Sequence, residues 1–425
     1  MTLNTILGIL LIVSFIGMIV YCVKGGNLMV GFVVLTIIWA ILGRLPVLTT
    51  VNIVFEKTIE NYGATIGVII FGSWFGRILV ETGIAGSIIR KTVELGGDKP
   101  IITTILLSWA TSFIFTSAFG VGSVMAIGVI VLPILFSMGV PKRVAVASYI
   151  MAVASGMYLN MGYVKQIQAF FPSVKYDNAY IKVAFIMTAV HMLVILAFII
   201  FSFRKNGVNH AWAASSSEPS SQDIPMIAFL TPAIPIVMVL VFKWQPIPAL
   251  SLAMIYGLLC TRYLKTYKGA LAIIQKTLHD GVADVGLLIG MLFAIACFGA
   301  VAKLASPMLV PLIGSIIPKN PLFLVIAFAI LAPAALFRGP LMVFGAGGAT
   351  LAILMSLNIF TPQFLFMLIA IPPIAMVANT CPTQSWGMWA INYSKITPKD
   401  YLKTGLIWSW LIVILNEVIA YNLFR

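Results

Sequence analysis

Residues 337–358, FRGPLMVFGAGGATLAILMSLN, place an arginine, a proline and a cluster of glycines within a stretch that is otherwise apolar enough to lie in lipid. An arginine at membrane depth costs at least ~2.5 kcal/mol unless it faces a cavity or a partner. Glycine and proline interrupt a helix, and the freed backbone groups must then face protein or water. The stretch therefore predicts two short helical arms that meet at a loop buried inside a helix bundle. A kinked span whose Arg338 side chain reaches the interface is the alternative.

The composition is that of a multi-pass membrane protein. The 425 residues are 61% hydrophobic and 9% charged, whereas a soluble domain carries about 25% charged residues. The formal net charge of +14 would indicate nucleic acid in a soluble chain. Here the basic residues fall in short loops between apolar runs, so we predict a protein of the cell (inner) membrane with lipid around it and no nucleic-acid partner. The four cysteines are scattered, which predicts neither a disulfide framework nor a metal site.

The apolar runs occur twice in the same order, on either side of a Ser-rich polar stretch at residues 204–224. We predict a first transmembrane repeat at 1–203, a flexible cytoplasmic linker at 204–224 and a second repeat at 225–425. A shift of 225 residues places Gly120 on Gly345, Gly122 on Gly347 and Ser155 on Thr380.

The predicted fold class is an all-α polytopic membrane protein with two inverted-topology repeats. Each repeat contains a re-entrant helical hairpin and a broken transmembrane helix. The first hairpin is predicted around residues 115–123, FTSAFGVGS, and the two breaks at residues 155–160 and 379–383. Each repeat has an odd number of crossings, so the second enters the membrane upside down. Basic residues are more numerous in the loops on one side, which predicts that both termini are extracytoplasmic.

Inverted repeats with matching broken helices are typical of secondary transporters, whose site lies near the midplane where the breaks meet. A broken helix offers free N–H groups to anions at one end and free carbonyls to cations at the other. The predicted substrate-binding residues are Ser117, Gly122, Ser123, Ser155, Asn160, Arg338, Gly345, Gly347, Asn379, Thr380, Thr383 and Ser385. As an alternative, the polar side chains among them bond back to neighbouring backbone and bend the helices.

Four stretches resemble the gluconate permease family, within the ion-transporter superfamily of organic-anion symporters that includes citrate and dicarboxylate carriers. They are residues 76–83 (GRILVETG), the glycine-serine stretch after Phe115, residues 338–348, and residues 384–393 (QSWGMWAINY). The resemblance implies symport of a small carboxylate by a homodimer with an elevator-type motion. Gln384 and Ser385 stand where these permeases tend to have an Asn-Asp pair, which leaves the carboxylate and the coupling ion open.

Few acids fall in or near the apolar runs, so Na⁺ and H⁺ are both candidates for the coupling ion, and no other cofactor is predicted. The coupling-ion candidates are Asp284, Glu417 and Glu81. Each has a structural alternative: Asp284 as an acid near a helix N-terminus, Glu417 paired with a neighbouring polar group, and Glu81 paired with Arg77 at i, i+4. His191, alone in an apolar run, is interpreted as a packing residue rather than a proton relay.

Other classes of function account for less of the sequence. A cation/proton antiporter using a buried acid such as Asp284 is the alternative function. A channel would explain the re-entrant loops but not the inverted duplication. The chain contains no HExxH, GxSxG or Asp-rich cluster, and we therefore predict that it is not an enzyme.

Overall fold

The computed structural model describes residues 3–171, 173–206, 224–309, 312, 319–356 and 358–424, and these residues form helices and connecting loops without a strand. The first half contains α1 (Leu3–Val23), α2 (Leu28–Leu42), α3 (Val47–Glu81), α4 (Ile84–Gly96), α5 (Pro100–Phe115), α6 (Val121–Ser137), α7 (Lys142–Gly156), α8 (Met161–Gln168) and α9 (Asn178–Asn206). The second half contains α10 (Met226–Leu240), α11 (Pro246–Cys260), α12 (Tyr267–Ala305), α13 (Pro321–Ile330), α14 (Gly347–Ser356), α15 (Pro362–Ala378), α16 (Ser385–Ser394) and α17 (Pro398–Phe424). Most of the predicted linker lies outside the described residues.

Five helices are long and apolar enough to cross a membrane, and the number rises to seven if each of two bent helix pairs is one span. The five are α1, α3, α9, α12 and α17. The arms of the first hairpin, α5 and α6, have 16 and 17 residues. At 1.5 Å per residue they measure roughly 24 to 26 Å, which is less than the ~30 Å hydrocarbon core. Their length fits the predicted re-entrant hairpin.

Both predicted helix breaks are present, each beginning two residues later than predicted: Ser155 still belongs to α7, and Asn379 and Thr380 are helical. In the first, α7 and α8 are separated by residues 157–160 and meet at a bend of 64°. In the second, α15 ends in a π-helical turn, Pro373–Ala378, and residues 381–384 separate it from α16. Pro372 and Pro373 lack the backbone N–H that a regular helix would use here, which loosens the helix before the break.

The second hairpin has the two short arms that the sequence predicts. Helices α13 and α14 have 10 residues each. Between them, a 3₁₀ turn at Ala332–Arg338 bends away from α13 by 60°, and residues 339–346 follow as an irregular loop. This part of the chain is therefore broken inside the bundle rather than a single kinked span.

One expectation about the second half is wrong. The sequence predicts an amphipathic piece at 267–279 and a separate span from residue 280, but both belong to the 39-residue helix α12. Asp284 therefore lies inside a continuous helix and not near a helix N-terminus. No proline separates the two parts, so the backbone hydrogen bonds continue across them. Shifting the bounds of α3 by 225 residues gives 272–306, close to the bounds of α12.

The helices pack in two groups. In the first, α12 lies against α3 and α2, and α11 lies against α3. In the second, α5 and α9 pack on α7, while α9, α13 and α15 pack on α17. The groups meet where α8 contacts α3, where α14 contacts α12, and where α6 contacts both α3 and α12. The two hairpins and the two breaks all belong to the second group, and the first group supplies the surface that they face.

Candidate functional site

A cavity of about 190 Å³ lies where the two hairpins and the two helix breaks meet. Phe119 and Val121 line it from the first hairpin, Arg338 and Phe344 from the second. Met157 beside the first break lines the cavity as well, as do Gln384, Ser385 and Trp386 at the second. Both hairpin tips and both breaks therefore contribute to the wall of one cavity.

A second cavity, of about 340 Å³, adjoins the first. The two share Leu287, Met291 and Arg338 in their walls. The second cavity continues to the loop between α1 and α2, where Gly25 and Asn27 line it, and Thr383 lines it beside the second break. Arg338 therefore stands at the boundary between the hairpin tips and a path toward the side predicted to be cytoplasmic.

The backbone that carries Arg338 is strained. Phe337 and Arg338 both adopt left-handed conformations, with φ of +54° and +63°, and each such residue costs roughly 1–2 kcal/mol when it is not glycine. The loop holds this geometry through a bond from the Ala346 N–H to the Arg338 carbonyl at 2.9 Å. A Cβ at Gly345 would lie 2.4 Å from that carbonyl oxygen, so glycine is required there. Gly347 bonds to the Gly339 carbonyl at 3.1 Å in the same loop. Both glycines shape the loop and neither lines the cavity.

Arg77 on α3 forms a bidentate ion pair with Asp284 on α12. The Nε–Oδ2 distance is 2.6 Å and the Nη2–Oδ1 distance is 2.7 Å. The two side chains are 21% and 12% exposed, and Asp284 lines the first cavity. The predicted pairing of Arg77 with Glu81 is wrong, because Glu81 pairs with Lys276 at 2.6 Å. Helix α12 runs beside α3 and presents both partners, and a planar bidentate contact is stronger than an i, i+4 pair.

The first hairpin packs directly on this ion pair. Gly120, with φ of +99°, turns the chain into α6, and Gly122 lies in the first turn of that helix. A Cβ at Gly122 would lie 2.1 Å from Asp284 Oδ2 and 2.2 Å from Arg77 Nη2. Gly122 was predicted to bind substrate, and its closest neighbours are the paired Arg77 and Asp284 side chains.

We expect Gly122→Ala to lower thermal stability. In an open helix the change would stabilise by up to about 1 kcal/mol, but here the methyl group must displace a bidentate ion pair, and overpacking of this kind costs about 1–3 kcal/mol. The control is Gly86→Ala on α4, where the nearest atom to the new Cβ is 3.6 Å away. Thermal unfolding of both variants in detergent checks the sign, and equal stabilisation of the two would contradict this packing.

Several predicted site residues hold the hairpin rather than line the cavity. The Ser117 hydroxyl donates to the Pro232 carbonyl at 2.6 Å, and that of Ser123 donates to the Phe119 carbonyl at 3.2 Å. The Ser155 hydroxyl donates to the Ala152 carbonyl at 2.7 Å and lies 2.7 Å from Ser112 Oγ. All three predicted residues are buried. Their hydroxyl groups bond to backbone carbonyls, as in the structural alternative stated for the polar residues of the predicted site.

Asn160 joins the first break to the first hairpin. Its side-chain amide donates to the carbonyls of Phe115 and Ala118 at 2.9 and 2.8 Å. Its side-chain oxygen accepts from the N–H groups of Gly162 and Tyr163, which caps the N-terminus of α8. All the hydrogen-bonding capacity of the buried side chain is engaged, so none is left for a substrate.

Asn160→Ala should therefore reduce the amount and stability of folded protein and not only substrate affinity. Loss of an N-cap costs about 0.5–2 kcal/mol, and each buried carbonyl left without its donor adds about 1–3 kcal/mol. Asn160→Ser keeps a side-chain oxygen that can cap the helix and loses the two amide donors, so it should fall between Ala and the original residue. Unfolding temperatures of the three proteins give this order, and wild-type stability of Asn160→Ala would contradict it.

At the second break the predicted residues separate into two sets. Ser385 lines the first cavity and Thr383 the second. Asn379 and Thr380 are buried behind the cavity wall. The Asn379 amide donates to the Ala375 carbonyl at 2.7 Å and lies 3.3 Å from His191 Nε2. Asn379 Oδ1 and Thr380 Oγ1 have no hydrogen-bond partner among the described residues.

The cavity also has walls that the sequence reasoning missed. The aromatic side chains of Phe119, Tyr163, Phe344 and Trp386 enclose it, together with the amide groups of Gln166 and Gln384. In the sequence, Gln384 stands out only as a departure from the gluconate permease pattern and not as a binding residue. Aromatic residues are frequent in any transmembrane sequence, so their number and spacing give no signal for a binding site.

The coupling-ion candidates occupy different surroundings. Asp284 is held by Arg77, and Glu81 is held by Lys276 outside the cavities. Glu417 on α17 is 0% exposed, and neither carboxylate oxygen has a hydrogen-bond partner among the described residues. The pairing of Glu417 with a neighbouring polar group, expected as the structural alternative, is not found there.

The described residues form a bundle of broken apolar helices in which two hairpins meet at one cavity, which is the architecture predicted from the sequence. No family model and no curated protein matches the chain. Its structure is similar to the crystal structure of the Alcanivorax borkumensis YdaH transporter, described as having an unusual topology. The TM-score is 0.60 at 15% sequence identity, over 93% of this chain and 96% of that one. The likeness supports the fold, while the resemblance to gluconate permeases is not confirmed by these comparisons.

Proposed function

We propose that this protein is a secondary active transporter of small organic anions, with carboxylates as substrates. The observation that carries the proposal is the position of Arg338, which lines the cavity formed by both hairpin tips and both helix breaks. A cavity of about 190 Å³ is smaller than the ~300–1,000 Å³ typical of drug-sized ligands and suits a small metabolite.

Two helix N-termini add to the positive potential of Arg338. Helix α6 begins after Gly120 and α16 begins after Gln384, and neither N-cap makes a side-chain hydrogen bond. Residues at both N-termini line the cavity. Free N–H groups and the helix dipole at such ends favour an anion. Asp284, the acid that the described residues place in this wall, is neutralised by Arg77 and opposes this attraction only weakly.

The packing of the helices suggests how the site would alternate. The hairpins and breaks belong to one group of helices, and the other group contacts it chiefly through α3 and α12. We propose that the first group moves as a unit against the second, as in an elevator, within a homodimer in the inner membrane. Symport with H⁺ or Na⁺ is the expected coupling. A transporter as structural neighbour is consistent with a protein that is not an enzyme.

The alternative function, a cation/proton antiporter using Asp284, has less support. Both carboxylate oxygens of Asp284 are engaged by the guanidinium of Arg77. A carboxylate held in this way is a poor ligand for a cation, because the bound guanidinium occupies a lone pair on each oxygen and cancels its charge.

The proposal is tested by a thermal-shift screen of the purified protein against small mono-, di- and tricarboxylates, with and without Na⁺. We expect one class of carboxylate to raise the unfolding temperature, since a ligand that binds only the folded state stabilises it by mass action. Uptake of the same compound, radiolabelled, into proteoliposomes is the second measurement. A screen in which cations but no carboxylate stabilise the protein would support the antiporter instead.

A further inference from the structure

Glu417 is a carboxylate that the proposed substrate site does not use. It lies in α17, seven residues from the end of the helix at Phe424, which is roughly 10 Å along the axis. It is fully buried and belongs to no cavity wall described above. Among the described residues, neither of its oxygens accepts a hydrogen bond and no salt bridge reaches it.

We define a buried polar cluster as Tyr158, His191, Asn379, Asn416 and Glu417. Glu417 follows Asn416 on α17, and its carboxylate is close enough to the Tyr158 hydroxyl to interact with it electrostatically. The Asn416 amide donates to the Tyr158 hydroxyl at 2.7 Å, and the Tyr158 ring meets the His191 ring edge-on at 5.8 Å. Asn379 Nδ2 lies 3.3 Å from His191 Nε2. If the amide donates to Nε2, the neutral imidazole carries its proton on Nδ1, which has no acceptor among the described residues. The cluster therefore holds an unused donor and unused carboxylate acceptors.

The cluster lies directly behind the substrate cavity. Met157 and Ala378 line that cavity, and their chain neighbours Tyr158 and Asn379 belong to the cluster. One of these neighbours is in the first helix break and the other ends the helix at the second. A change in the conformation of either break on substrate binding would therefore move Tyr158 or Asn379 within the cluster. A shift of 225 residues places His191 on Asn416, so these two members of the cluster hold corresponding positions in the predicted repeats.

A separate cavity of about 30 Å³ leads away from the cluster. Tyr158 lines it at one end, and Tyr176 and Tyr180 line it near the start of α9. The loop there carries the exposed residues Lys175 and Asp177. The wall of this cavity is apolar apart from its tyrosine hydroxyl groups, of which that of Tyr180 is buried without a partner among the described residues. Through Tyr158 the cluster therefore borders a cavity whose other end lies at the side predicted to be extracytoplasmic.

A proton fits this site better than a sodium ion. Sodium in such transporters is held by the carbonyls of unwound helices, whereas α17 is a continuous helix whose carbonyls are engaged by its own N–H groups. An ionised carboxylate buried without a partner is costly, and a bound proton removes that cost. On α17 itself the other titratable groups are Lys399, Asp400, Tyr401, Lys403 and Tyr421. On the packed helices α7 and α9 they are Lys142, Arg143, Tyr149, Tyr180, Lys182, His191, Arg204 and Lys205, and Tyr158 lies in the first break.

We infer that Glu417 is the proton-binding site of this transporter, and that Tyr158 and Asn379 link its protonation to the two helix breaks. The inference rests on the proposed function, because it names the ion that accompanies the carboxylate. One proton bound at Glu417 for each monovalent anion carried makes the transport electroneutral.

The experiment uses proteoliposomes, with radiolabelled gluconate and citrate as probes and an imposed pH gradient, acidic outside. A gradient of one pH unit should accumulate a monovalent probe about tenfold. Glu417→Gln should lose this accumulation yet retain exchange of labelled for unlabelled probe, since the cavity is unchanged. Glu56→Gln, at an exposed acid on α3, is the matched control and should behave as wild type. Unchanged accumulation in Glu417→Gln, or accumulation driven by a Na⁺ gradient at constant pH, would overturn the inference.

A second measurement separates this inference from the proposed function. Infrared titration of the purified protein without substrate should show the carbonyl band of a protonated carboxylic acid that is absent from Glu417→Gln and present in Glu56→Gln. If neither probe is taken up by any protein, the carboxylate proposal fails for these probes, and the infrared band still decides the proton site. A band that persists in Glu417→Gln contradicts the assignment.

Discussion

Replacing Arg338 with glutamine should abolish the uptake of small carboxylates while leaving the amount of folded protein unchanged. Arg338 is the cationic side chain at the boundary of the two cavities, and two uncapped helix N-termini face the first of them. Removing the charged partner of a buried anion costs about 2–5 kcal/mol. That energy corresponds to a loss of apparent affinity of roughly 30-fold or more. Uptake kinetics in proteoliposomes and thermal shift with the same carboxylate give two independent readings of this loss.

Two variants separate the charge from the backbone. Arg338→Lys keeps the charge and loses the planar donor geometry, so it should recover part of the affinity. Arg262→Gln changes an arginine that also adopts a left-handed conformation, with φ of +64°, but is exposed in a loop. That variant should transport as wild type. Unchanged affinity in Arg338→Gln would mean that the arginine only reaches the interface, as the alternative interpretation of the sequence holds.

The hairpins and the helix breaks could be predicted because their sequence signals are local. Gly120, Gly345 and Pro340 interrupt apolar runs where no regular helix could continue, and the same interruptions recur at a spacing of 225 residues. A repeat places elements relative to one another even when each signal alone is weak. The meeting of the two hairpin tips followed from that symmetry.

The partners of individual side chains could not be predicted, because they depend on contacts between distant parts of the chain. Arg77 and Asp284 are 207 residues apart and do not correspond in the repeat, so neither spacing nor symmetry relates them. The sequence predicts that Asn160 binds substrate because it lies at a helix break, yet its four hydrogen bonds go to backbone groups. The sequence shows that a polar group lies at a break and does not show which neighbour it reaches.

The continuity of α12 also depends on contacts between distant parts of the chain, and it could not be predicted for the same reason. A segment with charges on one face followed by an apolar run resembles two elements, but packing against α3 along its length supports a single helix. The consequence for function is direct. Asp284 lies in the interior of α12 and not near a helix end, where it contacts Arg77 and the edge of the first hairpin.

The Arg77–Asp284 pair should show strong coupling in a double-mutant cycle. Arg77→Gln and Asp284→Asn each leave one charge facing a largely buried surface. Breaking a buried pair in this way costs 3–5 kcal/mol. Because the two side chains retain 21% and 12% exposure, we expect a smaller loss, about 2–3 kcal/mol for each single variant. The double variant should be more stable than either single one, since it leaves no unpaired charge.

The pair formed by Lys276 and Glu81 joins the same two helices and provides the control. Its side chains are 58% and 24% exposed, so its cycle should give a coupling of only about 0–1 kcal/mol. Thermal unfolding of all variants in one detergent measures both cycles, and additive effects at Arg77 and Asp284 would contradict the buried-pair assignment. Transport by the double variant then separates the two functions. If the pair only supports the first hairpin of a carboxylate carrier, the double variant should keep its uptake. If the protein is an antiporter that binds its cation at Asp284, the double variant should lose transport completely.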